Sequence, residues 1–315
     1  MDIRALKGRS LLTWLDFEAD EIRALLDLSK QVKEEARRGE RKQRLLGRTV
    51  ALLFEKSSTR TRCAFETAIA EEGGHGVFIS FADTHLGKKE TIEDTARVFG
   101  RMFSAIEFRG FKQSMAEDLA KYSGIPVFNG LTDDYHPTQA LADVQTLEEN
   151  FPGRKGLKLC FCGDGRNNVA RSLMIISAKL GINFTVITPS GLKPDNVLTE
   201  KCGKIAKVSG AKIEITDKLD AVEGADAVYT DVWASMGEEA KKEERASLLK
   251  PYQVNRVLMD RTGRKDAIFL HCLPAIRGEE VTADVIDGAW SRVWDEAENR
   301  KHTIKAIVLA SIGDI

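Results

Sequence analysis

Short apolar segments alternate with segments of helical periodicity along almost the whole chain of 315 residues. Nine segments have the length and the β-branched or aromatic content of buried strands. They are Thr49–Phe54, Val77–Phe81, Ala105–Phe108, Ile125–Phe128, Leu157–Cys162, Phe184–Ile187, Ala211–Ile215, Ala227–Thr230 and Ile268–His271. Helical spacing predicts helices over Asp20 to Lys33, Ala64–Ile69, Ala140–Leu147 and Val169–Leu180. Such alternation is typical of parallel sheets that carry helices on both faces.

A segment rich in turn residues divides the strands into two groups. Four predicted strands precede residue 130 and five follow residue 156, and Asn150 to Gly156 contains one proline and two glycines. The length allows two domains of about 100–200 residues each. We therefore expect an α/β fold with two doubly wound parallel-sheet domains, residues 1–150 and 151–294. Ligands bind beyond the carboxyl ends of such strands, so the active site is expected in the cleft between the domains.

The composition argues against several classes of protein. Lys+Arg total 47 and Asp+Glu total 48, so the formal net charge is −1, whereas nucleic-acid binders usually carry a basic excess. No apolar run approaches the roughly 18 residues that span a bilayer, and the N-terminus has no signal-peptide pattern. Five cysteines without a Cys-x-x-Cys pair favour a reducing cytoplasm and no zinc site. Cys160 and Cys162 of one predicted strand are expected on opposite faces of it.

Polar side chains follow the carboxyl ends of six predicted strands. This concentration favours an enzyme that acts on small molecules over a structural protein, because ligands bind at that edge of a parallel sheet. The segments are Glu55 to Arg62, Arg109, His136 to Gln139, Gly163 to Asn168, Asp231 and His271 to Pro274.

The first of these segments has the features of an anion site. Ser58 can cap a helix that begins after it, and free backbone N–H groups lie at such a helix start. Together with the hydroxyls of Thr59 and Thr61 and the guanidinium of Arg60, they predict a phosphate site. Arg62 is expected to form an ion pair with Glu66 on the next turn.

The segment from His136 to Gln139 suits a carbonyl group. Pro137 fits the first position of a helix, which leaves His136 at the cap. The positive end of the helix dipole opposes an imidazolium there, so a neutral His136 can donate one hydrogen bond to a carbonyl oxygen. Gln139 offers an amide to a planar, urea-like group.

Two alternatives arise from the second half of the chain. Gly163-Asp164-Gly165 permits a nicotinamide dehydrogenase, but Asn168 replaces the third glycine of the fingerprint and no acidic residue follows the next strand. A regulatory module that binds a small molecule without turnover is the other alternative. Asn167 and Asn168 at a helix start suit a ligand with a carboxylate, and Cys272 is a better functional candidate than the other thiols.

The chain resembles the aspartate/ornithine carbamoyltransferase family. The similarity follows the same order of motifs over nearly the whole chain, and the loop 235–237 together with Cys272 indicates ornithine rather than aspartate. The matching segments are Ser58-Thr59-Arg60-Thr61-Arg62, His85-Leu86-Gly87, Asp94-Thr95-Ala96-Arg97, His136-Pro137-Thr138-Gln139, Asp231 to Gly237, His271 to Ala275 and Glu298 to Thr303.

The resemblance implies a set of binding residues. The carbamoyl phosphate site would comprise Ser58, Thr59, Arg60, Thr61, His85, Arg109, His136, Gln139, Cys272, Leu273 and Arg300. Ornithine would be held by Asn168, Asp231, Ser235 and Met236. The catalytic residues would be Arg60, Arg109, His136, Asp231 and Cys272.

The resemblance also implies a reaction and an assembly. The carbamoyl group would pass from carbamoyl phosphate to the δ-amine of L-ornithine by direct attack, giving L-citrulline and phosphate without cofactor, metal or covalent intermediate. Putrescine or an N-acylated ornithine are the alternative amine substrates. The family forms trimers or multiples of trimers in which the loop of His85 reaches a neighbouring subunit. A cis peptide bond precedes the proline at position 274, and a helix at about 295–315 returns to the first domain.

Two hypotheses concern the amine. Asp231 and Cys272 are expected to select or generate the neutral δ-amine, so that activity rises toward alkaline pH. The loop from Ser235 to Glu238 is expected to close over bound ornithine.

Overall fold

A computed structural model describes residues 1–86, 89–234 and 242–315 of the chain. These residues form nine β-strands, which correspond to the nine predicted segments: β1 has the predicted bounds, and each of the others is shifted at one or both ends. The strands are β1 Thr49–Phe54, β2 His75–Ser80, β3 Ala105–Arg109, β4 Val127–Leu131, β5 Lys158–Cys162, β6 Asn183–Ile187, β7 Ile213–Thr216, β8 Ala227–Tyr229 and β9 Ile268–Leu270.

The same described ranges contain eleven α-helices, and the four predicted helices correspond to α1, α2, α5 and α6. The helices are α1 Ala19–Arg37, α2 Thr59–Glu71, α3 Ile92–Met102, α4 Gln113–Ser123, α5 Pro137–Asn150, α6 Asn168–Leu180, α7 Asn196–Ser209, α8 Lys242–Leu249, α9 Arg256–Arg261, α10 Ala283–Ile286 and α11 Val293–Ile312. None of the described helices is long and apolar enough to cross a membrane.

The chain divides into two compact units, and each contains one parallel sheet. The first unit comprises residues 1–142 and 298–315, and the second comprises residues 143–297. The sheet of the first unit has the order β2-β1-β3-β4, and that of the second has the order β7-β6-β5-β8-β9. All neighbouring strands run parallel. The prediction of two parallel-sheet α/β domains is therefore confirmed.

The two faces of the first sheet differ in what they contact. Leu53, Ile106 and Phe108 belong to an apolar cluster that also includes residues of α3 and α4. Because side chains alternate along a strand, Leu52 and Glu107 point to the opposite face. On that face, the ring of Phe65 from α2 stacks on Phe128 of β4, with 6.4 Å between centroids.

The core of the second unit corrects one expectation about the cysteines. Cys160 and Cys162 are both fully buried in the same apolar cluster, with Val228 and Phe269. The expectation that they face opposite sides of the strand is wrong, because residues two positions apart in a strand point to the same face. All five cysteines are free thiols.

The end of α11 belongs to the first unit and is tied to it by buried polar contacts. The Nζ of Lys33 in α1 donates to Oδ1 of Asn299 at 2.7 Å, and the Nζ of Lys305 donates to Oε2 of Glu71 at 2.6 Å. These contacts hold α11 against α1 and α2, which places Arg300 beside the start of α2.

Candidate active site

The N-terminus of α2 follows β1 after a short turn and has the predicted cap. The hydroxyl of Ser58 accepts a hydrogen bond from the backbone N–H of Thr61 at 3.2 Å. Arg62 donates to Oε1 of Glu66 at 2.9 Å, which confirms the predicted ion pair. Thr59 is exposed and Arg60 is half-buried at the same helix start. The cap therefore leaves other backbone N–H groups of the first turn, with these side chains, to face a ligand.

Two buried guanidinium groups converge on the hydroxyl of Thr61. Nη1 of Arg109, at the end of β3, donates to its Oγ1 at 3.3 Å, and Nη2 of Arg300 in α11 donates to the same oxygen at 3.1 Å. Nη1 of Arg300 also donates to Oε1 of Gln139 at 2.6 Å. Arg109 is 7% exposed and Arg300 is 3% exposed. Two cations this deeply buried strongly favour an anion beside them, because water screens their charge little.

His136 is buried at the start of α5, near the same cations. Its carbonyl accepts hydrogen bonds from the backbone N–H groups of Gln139 and Ala140, both at 3.2 Å. Burial and the charges of Arg300, Arg109 and Arg60 hold the pKa of His136 well below its usual range. The imidazole is therefore neutral at pH 7. The sequence predicts this state from the helix dipole, and the structure adds burial and the arginines as causes.

In the second unit, three donors hold the carboxylate of Asp231, which follows β8. The Sγ of Cys272 donates to Oδ1 at 3.2 Å, and Nδ2 of Asn167 donates to Oδ2 at 2.8 Å. The backbone N–H of Val232 donates to Oδ1 at 2.8 Å. Both carboxylate oxygens are thus oriented before any ligand binds. Such an arrangement suits recognition of an ammonium group, because the negative charge is fixed in one place.

The thiol of Cys272 acts in this arrangement as a donor. Burial, followed by the nearby carboxylates of Asp231 and Glu296, raises the pKa of the Cys272 thiol well above its usual range. The sulfur therefore stays protonated at neutral pH, and a protonated thiol is a poor nucleophile. Cys272 is suited to holding Asp231, and a covalent role is disfavoured.

Among the described residues, Asp231 and Cys272 together with His271 form a group that could be considered for a metal ion. One ligand atom from each of Asp231, His271 and Cys272 lies within 4.8 Å of the other two. However, Nδ1 of His271 already accepts a hydrogen bond from the backbone N–H of Leu273 at 2.9 Å. The protonated thiol and this occupied nitrogen account for the cluster by hydrogen bonding alone.

Sequence reasoning missed a group of buried acids beneath this cluster. Oε1 of Glu296 accepts from the hydroxyl of Tyr229 at 3.1 Å, and Oε2 accepts from the backbone N–H of His271 at 2.9 Å. Nε2 of His271 lies 3.3 Å from Oε1 of Glu280. Glu280 and Glu296 lie among other charged residues in the sequence, so only their burial distinguishes them. They hold the backbone N–H and the side chain of His271, which lies between the end of β9 and Cys272.

The predicted ligand-binding residues of the second unit gain one further member. Asn167 contacts Asp231 through its side-chain amide, and Asn168 follows it as the first residue of α6. His85 is exposed, and no described contact joins it to the arginine cluster. Ser235, Met236 and the proposed lid from 235 to 238 lie outside the described residues. The peptide bond between Leu273 and Pro274 is cis as expected, and Leu273 has a φ of 60°.

Two family models match the chain in succession. The carbamoyl-P binding domain of aspartate/ornithine carbamoyltransferase matches residues 9–149, and the Asp/Orn binding domain matches residues 155–311. The chain belongs to the aspartate/ornithine carbamoyltransferase family. Within this family, the chain is 62% identical over 308 residues to the ornithine carbamoyltransferase of Thermotoga petrophila, covering 98% of each chain. It is 51% identical to the catabolic ornithine carbamoyltransferase of Bacillus licheniformis, again covering 98% of each.

Solved structures of this carbamoyltransferase family show the same fold. The ornithine carbamoyltransferase from Pyrococcus furiosus is 47% identical, with a TM-score of 0.95 over 98% of this chain and 99% of that chain. In the present family member, Arg300 lies in the segment that the Asp/Orn model matches. Its side-chain contacts are nevertheless to Thr61 and Gln139 of the first unit, because α11 returns there.

Proposed function

We propose that this chain transfers the carbamoyl group of carbamoyl phosphate to the δ-amine of L-ornithine, releasing L-citrulline and phosphate. The observation that carries the proposal is the pair of buried guanidinium groups, Arg109 and Arg300, that meet at Thr61 beside the neutral His136. The choice of ornithine is supported by relatives named ornithine carbamoyltransferase that are 60–62% identical to this chain.

The phosphate group is proposed to bind at the start of α2. Ser58, Thr59 and Thr61 supply hydroxyl and backbone donors there, and Arg60 supplies a half-buried positive charge. Arg109 and Arg300 add two buried charges, and His85 completes the proposed set. Charge builds on this phosphate as it leaves, so fixed cations stabilise the transition state more than the ground state.

The carbamoyl group is proposed to lie between His136 and Gln139. Neutral His136 donates a hydrogen bond to the carbonyl oxygen, whose negative charge grows as the amine attacks. Gln139 accepts from the carbamoyl NH₂, with Cys272 and Leu273 as the further proposed contacts. One donor to a developing oxyanion is typically worth about 10²–10³ in rate.

The reaction balances without a cofactor. The lone pair of the neutral δ-amine forms a bond to the carbonyl carbon, and the bond from that carbon to the phosphate oxygen breaks. The proton that the amine nitrogen loses is taken up by the departing phosphate. Holding both substrates in line can supply roughly 7–11 kcal/mol of the barrier.

The amino acid is proposed to bind through its charged α-groups. Asp231, oriented by Cys272 and Asn167, pairs with the α-ammonium of ornithine, and Asn168 at the start of α6 receives the α-carboxylate. Ser235 and Met236 are proposed to complete this site. Asp231 and Cys272 are further proposed to favour the neutral form of the δ-amine.

The assembly, domain limits and location are part of the same proposal. We infer a homotrimer or a multiple of trimers, supported by the exposed apolar side chains of Phe78, Val98 and Met102 on β2 and α3. The functional domains would be 1–150, with the helix at about 295–315, and 151–294. Five free thiols support a cytoplasmic location. Sedimentation equilibrium of the full chain tests the assembly, and a monomer would contradict it.

A citrulline assay on the purified chain tests the reaction. With carbamoyl phosphate present, L-ornithine is expected to give citrulline and equimolar phosphate. Putrescine and N-acetylornithine, assayed in parallel, are expected to give less than a hundredth of that turnover because each lacks one charged α-group or has it blocked. Equal turnover of putrescine would reassign the substrate, and binding of both compounds without product would leave only a binding protein.

A further inference from the structure

Glu107, in the middle of β3, is a buried acid that the reaction above does not use. Its side chain is completely buried, and neither carboxylate oxygen has a hydrogen-bond partner among the described residues. Oε1 lies against the backbone of β4, since a Cβ added to Gly130 would come within 1.9 Å of it. A buried carboxyl without a partner costs several kcal/mol if it is charged, so its presence requires an explanation.

The surroundings of Glu107 combine apolar neighbours with two cations. Leu52 of β1 and Phe128 of β4 are its register partners on either side. The charged groups whose fields act on it are Arg109, two positions along the same face of β3, and Arg300 of α11. These are the two guanidinium groups that converge on Thr61.

The charge state of Glu107 is set by a balance between these neighbours. Burial raises the pKa of Glu107 well above its usual range, while Arg109 and Arg300 oppose the rise. A phosphate dianion beside the arginines would cancel that opposition, because it adds two negative charges to the same site. The ionised carboxylate and the bound dianion therefore compete for the same positive charge.

We propose that Glu107 is a positioning residue that makes phosphate binding proton-linked at alkaline pH: where its carboxyl is ionised in the free protein, it takes up a proton when a phosphate dianion binds at Arg109 and Arg300. The proton leaves again when phosphate departs. The neutral acid leaves both guanidinium charges to the dianion, whereas the ionised acid draws on them. This inference rests on the proposed phosphate site.

Other groups near the arginines can also titrate or carry charge. His136 faces the same cations, and Arg60 contributes to the same field. A bound dianion favours protonation of His136 too, so wild-type proton uptake alone does not identify Glu107. The test therefore compares variants that keep His136 and differ only at position 107.

Calorimetric titration with phosphonoacetamide, a phosphonate analogue of carbamoyl phosphate that cannot transfer its group, measures both affinity and proton uptake. Wild type, Glu107→Gln and Glu107→Leu are titrated from pH 6 to pH 9 in two buffers of different ionisation heat. Gln keeps the shape of Glu without its charge. Leu also removes the charge, and its apolar side chain fits beside the apolar register partners. It serves as the second variant if the protein does not fold with Gln at this position. Ionisation of the ligand and of His136 is common to all three proteins.

We expect the ratio of the wild-type Kd to the variant Kd for phosphonoacetamide to be near 1 at pH 6. It is expected to rise at least fivefold by pH 9, because each pH unit above the pKa of the free acid weakens wild-type binding up to tenfold. Wild type should also take up more protons than either variant. A ratio constant within twofold, with equal proton uptake, would overturn the role of Glu107 alone. A wild type that binds phosphonoacetamide at no pH would overturn the phosphate site as well.

Discussion

The Sγ of Cys272 lies 3.2 Å from Oδ1 of Asp231 and donates its proton to that oxygen. The thiol is neutral because burial and nearby carboxylates raise its pKa. The pair therefore consists of one donor and one fixed carboxylate, whereas a nucleophilic dyad would need a thiolate and a base. In this arrangement the sulfur orients the acid that is proposed to face the amine.

Replacing Cys272 separates orientation from nucleophilicity. Cys272→Ser keeps a donor beside Asp231, so its kcat/KM for ornithine is expected to stay within about tenfold of wild type. Cys272→Ala removes the donor, and loss of a hydrogen bond to a charged group should lower kcat/KM about 10–100-fold. Steady-state kinetics with ornithine as the varied substrate measure both. Equal loss in the two variants, together with a covalent adduct in mass spectra, would instead indicate a nucleophilic sulfur.

The pH dependence of ornithine use follows from the charge of the amine. An alkylammonium has an ordinary pKa of ~10.4. Below this pH, each unit of increase in pH makes the neutral amine about tenfold more abundant. We expect kcat/KM for ornithine to rise from pH 6 to pH 9. A flat profile over this range would show that deprotonation of the amine does not limit the reaction.

The two arginines of the first motif offer a matched comparison. Arg60→Gln removes a charge from the proposed phosphate site and should lower kcat/KM for carbamoyl phosphate about 10²–10³-fold. Arg62 forms an ion pair with Glu66 and stacks on the ring of Phe78 at 3.7 Å. Arg62→Gln is therefore expected to change kcat/KM less than fivefold. A larger loss at Arg62 than at Arg60 would contradict the assignment of the anion site.

The strands could be predicted because buried parallel strands are short apolar runs, but their ends depended on contacts that the sequence does not show. The apolar run predicts that β4 stops at Phe128. The strand continues to Leu131, where Glu107 packs on Gly130 and leaves no room for a Cβ. By contrast, the start of α2 at Thr59 agrees with the predicted cap at Ser58, although the helical spacing of apolar residues begins only at Ala64.

The chemistry of the site could be predicted in part. Residue types at the strand ends indicate an anion site and a neutral histidine. The meeting of Arg300 with Thr61 joins residues 239 positions apart, and no local pattern encodes it. Nor does the sequence show that Asn167 contacts Asp231. This contact follows from the helix cap, because Oδ1 of Asn167 accepts from the N–H of Val169, which leaves Nδ2 to donate to Asp231.

Acid should destabilise the fold through His302. Burial, followed by the charge of Lys301, lowers the pKa of His302 from 6.5 to about 4. Its folded pKa lies below its unfolded value, so its contribution to stability is complete above about pH 6.5 and is lost as the pH falls toward 4. The loss amounts to about 2–3 kcal/mol. Urea unfolding of wild type and His302→Gln at pH 7 and pH 4.5 measures it, and an equal decrease in both proteins would contradict the prediction.

The largest single effect on stability is expected at Arg44, which joins α1 to the end of α2. Its Nη2 lies 2.7 Å from both Oε2 of Glu35 and Oε1 of Glu72, and those two carboxylates are almost fully buried. Burial raises the pKa of Glu35, but hydrogen bonds from Lys42, Gln31 and Arg44 outweigh it and lower the pKa to about 2. Arg44→Met would leave two buried acids short of a cation, at a cost of about 3–5 kcal/mol.

The exposed ion pair of Arg37 with Glu34 at the end of α1 is the matched control for this change. Both side chains are more than half exposed, although the 2.8 Å distance between them is nearly as short as the 2.7 Å of the buried pairs. Arg37→Met should therefore change the free energy of unfolding by less than about 1 kcal/mol, since water already solvates both charges. Urea midpoints at pH 7 for the two variants test whether burial, rather than distance, determines the strength of these ion pairs. Equal losses in the two would show that it does not.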